Sequence, residues 1–69
     1  MKKTLGMRIR EARQEKGYTM QELAELTKIS QSQISNYEKD MRNPSFANMA
    51  KIADVFEISL DWFALGYDV

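Results

Sequence analysis

The sequence has no cysteine and no histidine. Those two absences remove disulfides, thiolate nucleophiles, Cys/His zinc sites, Ser-His-Asp triads and a histidine pH switch. Excess charge of one sign is missing as well: ten Lys and Arg balance ten Asp and Glu, and the formal net charge is zero. Bulk charge therefore gives no support to a protein that coats nucleic acid or a membrane surface. No run approaches the roughly 20 apolar residues of a membrane span, and Arg8 and Arg10 interrupt the short apolar start that a signal peptide would need. A reducing cytoplasm is the expected location.

What remains is ordinary globular composition, with 43% apolar and 10% aromatic residues in a chain of 69. That length allows one small domain, residues 1–69. Lacking a disulfide or metal, such a chain leans on efficient helix packing or on a partner subunit. The charges are unevenly spread: Lys2, Lys3, Arg8, Arg10, Arg13 and Lys16 stand against Glu11 and Glu15 in the first sixteen residues. This permits one basic face, or simply a solvated helix and tail.

Leu5, Ile9, Ala12 and Lys16 recur at helical spacing and Gly17 follows as a stop, which predicts a helix over about 5–16. Thr19-Met20-Gln21-Glu22 has the form of a capping box opening a helix over 19–27, with Leu23, Ala24 and either Leu26 or Thr27 inward. Ser30-Gln31-Ser32-Gln33 is a second such box, opening a short helix over 30–38 held by Ile34 and Tyr37. Asp40 to Pro44 reads as a loop. Phe46, Met49, Ile52, Ala53 and Phe56 then give an inward stripe for a fourth helix, capped by Ser45 or Asn43. Ser59 can cap a fifth, over 60–65, containing Leu60, Trp62, Phe63 and Leu65. No strand pattern competes, so the expected fold is all-α, a compact bundle of five short helices.

Two short helices, each opening on a capping box and joined by Thr27-Lys28-Ile29, describe a helix-turn-helix. The second exposes Gln31, Ser32, Gln33, Ser35 and Asn36, a surface of short uncharged hydrogen-bonding side chains. Glutamine and asparagine amides donate and accept together, the pattern needed to meet N6 and N7 of adenine in the major groove. The plainer reading is a solvated helix whose amides touch only water.

Leu23-Ala24, Ile29-Ser30, Ile34-Ser35, Glu38, Arg42-Asn43-Pro44-Ser45 and Ser59-Leu60-Asp61-Trp62-Phe63 resemble the Cro/C1-type helix-turn-helix family over about residues 5–65. Its members include phage repressors, their antagonists, restriction-modification controllers and antitoxins. The resemblance implies a five-helix bundle resembling the lambda repressor DNA-binding domain. It places base reading on Gln31, Ser32, Gln33 and Asn36. It assigns phosphate contacts to Lys39, Arg42 and Asn43, with Arg10 a weaker candidate. It also implies an ion pair between Arg13 and Glu38 that clamps the recognition helix to the first helix. Met20 departs from the family pattern, which usually has a phosphate-contacting Gln there. Lys28, Asp40 and Glu57 stand where glycines commonly end helices, so left-handed backbone at these positions would cost about 1 kcal/mol each.

Catalysis has little support: the carboxylates Glu22, Glu25, Asp54 and Glu57 are not paired in any pocket legible from the sequence, and so small a helical core leaves little room for a substrate cleft. No cofactor or metal is implied. The expected function is a sequence-specific transcriptional regulator, a repressor occupying a palindromic operator on double-stranded DNA. A weak homodimer is expected, paired through the C-terminal region with Trp62 and Leu65. The alternative is a protein-interaction module of the same fold that binds a toxin or another regulator and does not read DNA. Zero net charge and Met20 favour that alternative; the amide-rich helix and Arg42-Asn43 favour DNA.

Overall fold

The computed structural model describes residues 3–59. Among them are four helices and no strand: α1 (Leu5–Glu15), α2 (Met20–Thr27), α3 (Gln31–Glu38) and α4 (Phe46–Phe56). The bundle is therefore a four-helix one over the described residues rather than the expected five. The fifth helix, at 60–65, and with it Trp62 and Leu65, lies outside the described residues.

Each helix opens on a hydroxyl cap, because a Ser or Thr side chain can accept one of the backbone N–H groups left over in a first turn. Thr4, Thr19, Ser30 and Ser45 serve α1 to α4 in turn, so Ser45 rather than Asn43 is the cap of α4. At α2 the capping box is complete: the Glu22 N–H donates to Thr19 Oγ1 at 3.0 Å and the Thr19 N–H donates to Glu22 Oε1 at 2.8 Å. At α3 it forms differently. The Gln33 N–H donates to Ser30 Oγ at 3.2 Å, but the Gln33 side chain accepts from the Ser30 hydroxyl rather than from the Ser30 backbone.

All four helices stop in one way. A residue in the left-handed region follows or ends each of them, Gly17 (φ 75°), Lys28 (φ 60°), Asp40 (φ 58°) and Glu57 (φ 59°). The next N–H then reaches back five residues, from Tyr18 to Arg13, Ile29 to Ala24, Met41 to Asn36 and Ile58 to Ala53, at 2.9–3.2 Å. This is the Schellman arrangement, which satisfies late helical carbonyls at the expense of a strained residue. Three of the four left-handed residues are not glycine, and the strain falls on those three.

One isoleucine or leucine from each helix is fully enclosed: Ile9, Leu23, Ile34 and Ile52. Ile29, Tyr37, Ala53 and Phe56 complete the core. Of the two inward options on α2, Thr27 is buried and donates its hydroxyl to the Leu23 carbonyl at 2.7 Å, while Leu26 is 52% exposed. Phe46 also departs from expectation. It lies on the apolar stripe of α4 but in the first turn, ahead of the point where Met49 meets the core, and is 75% exposed. Arg8, read only as a charge, is 4% exposed. No helix among the described residues is long and apolar enough to cross a membrane.

Candidate nucleic-acid interface

The eight residues of α3 divide by burial. Ile34, Tyr37 and Glu38 are buried, which turns Gln31, Ser32 and Gln33 outward, exposed, and leaves Ser35 and Asn36 half-buried. A surface of amides and hydroxyls thus rests on a face that has no freedom to rotate.

Three polar connections fix that face. Arg13 of α1 grips Glu38 with both arms of its guanidinium, Nε to Oε2 at 2.7 Å and Nη2 to Oε1 at 3.1 Å. Its third donor, Nη1, reaches the Tyr18 carbonyl at 3.0 Å. The two side chains are 13% and 3% exposed, so the fork works in a largely water-free setting. Second, Asp40 accepts from the Thr4 hydroxyl at 2.6 Å and from the Gly6 N–H at 3.0 Å, placing a carboxylate on the first turn of α1. The approach is close: a Cβ on Gly6 would stand 2.5 Å from the Tyr37 carbonyl oxygen and 2.7 Å from that of Glu38. Third, the Tyr37 hydroxyl accepts from Asn48 Nδ2 at 2.9 Å, tying α3 to the first turn of α4.

The residues expected to meet phosphate fall in two places. Lys39, Arg42 and Asn43 are all exposed in the segment that leaves α3 and leads to α4, and Pro44 between that segment and the Ser45 cap is buried. Arg10 is exposed on α1, a separate element. Met20 is half-buried against the core, so the first residue of α2 packs inward instead of extending a polar arm.

Gly6, Asp40 and the Tyr37–Asn48 bond were not legible as parts of this site. One signal was available: glycine inside a helical pattern costs roughly 1 kcal/mol, and its presence there points to a close backbone approach.

A family model described as helix-turn-helix matches residues 9–63. The chain belongs to the Cro/C1-type helix-turn-helix family. The transcriptional regulator ImmR of Bacillus subtilis is 42% identical over 65 residues, which cover 94% of this chain and 50% of ImmR. SinR of the same organism is 37% identical over 57 residues, covering 81% of this chain and 51% of SinR. The chain thus spans about half the length of these curated relatives. In structure it is similar to SinR, the master regulator for biofilm formation, in complex with DNA. The TM-score is 0.83 at 34% identity, covering 88% of this chain and 98% of that one. A structure of SinR with SinI also matches at a TM-score of 0.83, over 87% of this chain and 59% of the SinR chain.

Proposed function

We propose that this chain is a sequence-specific DNA-binding domain of a transcriptional regulator, acting as a repressor by occupying its operator. The observation that carries the reading is the start of α3. Gln31, Ser32 and Gln33 are exposed on a helix whose other face is locked by Ile34, Tyr37 and the Arg13–Glu38 fork. The bundle that holds them is similar to one solved on DNA. Gln31, Ser32, Gln33 and Asn36 read base edges, the Gln31 amide donating through its NH2 and accepting through its oxygen at one base pair. Lys39, Arg42 and Asn43 meet phosphates and set the register, and Arg10 adds a charge from α1. Such a protein works where the chromosome is, in the cytoplasm.

One recognition helix covers only a few base pairs, so a regulator selecting one operator from a genome gains by binding as a homodimer. Pairing through the C-terminal region with Trp62 and Leu65 would set the two helices roughly 34 Å apart, one turn of DNA. Selection of bound sites from a random duplex pool tests the whole reading. An imperfect palindrome with half-sites about one turn apart is the expected product; failure to enrich any sequence would overturn it.

A protein partner is the second reading, favoured by the solved complex of the relative SinR with SinI. A chain that pulls down a protein and enriches no duplex would support it over DNA reading.

A further inference from the structure

Phe46 is the most exposed of the large apolar side chains among the described residues, at 75%. Helical period puts it on the inward stripe with Met49 and Ala53, yet among the described residues the core stops short of the first turn of α4, and the ring is left exposed. Its position is nonetheless rigid. Ser45 caps the helix it begins, accepting from the Asn48 N–H at 3.1 Å, and the Asn48 side chain is bolted to Tyr37 of the recognition helix at 2.9 Å. Phe46 therefore stands in a fixed relation to Gln31, Ser32 and Gln33. The exposed residues just before it, Arg42 and Asn43, are those placed against phosphate. A bare aromatic ring thus opens the helix that follows the phosphate-facing segment, three residues after Asn43.

We infer that Phe46 is a positioning residue for DNA, packing its ring on the C–H face of the deoxyribose beside the phosphate that Arg42 and Asn43 hold. The inference rests on the DNA-binding reading. Among the surfaces a duplex presents, the sugars flanking a contacted phosphate are apolar and continuous along the backbone, whereas in the major groove the apolar feature is the thymine methyl group. A ring without donors or acceptors carries no hydrogen-bond code, and its place after the phosphate-facing segment puts it along the backbone. The contact adds affinity without displacing a counterion.

That last property makes it testable. Binding is measured for the wild-type chain, Phe46→Ala, Phe46→Leu and Arg42→Ala, on a duplex recovered by selection and on a mixed-sequence duplex of equal length, across a salt series. Phe46→Ala is expected to weaken binding to both duplexes by about tenfold, the scale of one partly buried aromatic ring. The salt slope should stay as in the wild type, while Arg42→Ala lowers its magnitude by about one unit. Phe46→Leu should restore most of the loss. In the wild-type complex, nuclear Overhauser contacts are expected between the Phe46 ring and deoxyribose protons. Wild-type affinity in Phe46→Ala, or a loss confined to duplexes with thymine at one position, would overturn the inference while leaving DNA binding intact. A wild-type chain that binds neither duplex would overturn the DNA reading itself. Should Phe46→Ala fail to fold, the ring-to-sugar contacts decide.

Discussion

The recognition helix is held on two sides by opposite chemistry. Against α2 it packs apolar groups, Ile34 and Ile29 beside Leu23, with the Thr27 hydroxyl turned back on its own helix. Against α1 it uses charge and backbone: the Arg13–Glu38 fork, the Asp40 carboxylate on Thr4 and Gly6, and carbonyls near enough that Gly6 admits no Cβ. Apolar packing resists unfolding but is non-directional. A bidentate pair and a carboxylate cap fix an angle. The apolar packing thus resists unfolding, and the polar joints to α1 set the orientation in which Gln31 and its neighbours are presented.

The sharpest break of the apolar side is Leu23→Ala. A fully enclosed leucine lost from so small a core should lower stability by about 4 kcal/mol, read from the chemical denaturation midpoint. On the polar side, Glu38→Ala strands the largely buried Arg13 and should cost about 3 kcal/mol. Replacing both partners, Arg13→Met with Glu38→Leu, should recover most of that loss, because two apolar side chains need no desolvated charge. If the α1 side sets orientation, the recovered protein will still discriminate poorly among duplexes. Gly6→Ala should cost about 2 kcal/mol, since its Cβ meets backbone oxygens that can move only with α3. The smallest effect is a gain: Lys28→Gly relieves a left-handed residue and should raise stability by up to about 1 kcal/mol, read from the same denaturation midpoint. No change would mean that the turn between α2 and α3 carries no strain.

These two sides were unequally legible in the sequence. Leu23, Ile34 and Ile52 announce themselves by spacing, since period within one helix is local information. The stops at Lys28, Asp40 and Glu57 were legible because hydrophobic period ends there and family members commonly have glycine. The α1 junction was only half visible. The Arg13–Glu38 pairing came from family resemblance. The bond from Gly6 to Asp40 joins residues 34 apart, and no local pattern encodes it. Phe46 and Arg8 fail the reading for a related reason: period gives the direction of a side chain but not how far the core extends beneath it. Gln33 shows the same limit at short range, since the motif fixes which side chains meet at Ser30 but not which Ser30 atom serves as donor.

The central claim, that the exposed start of α3 reads bases, is tested most directly with Gln31→Ala on a panel of duplexes carrying every single-base change in the selected site. The expected result is a loss of about 1–3 kcal/mol on the intact site, with preference relaxed at one position of each half-site and unchanged elsewhere. An equal loss on every duplex of the panel, with all preferences retained, would contradict it and make Gln31 a backbone contact.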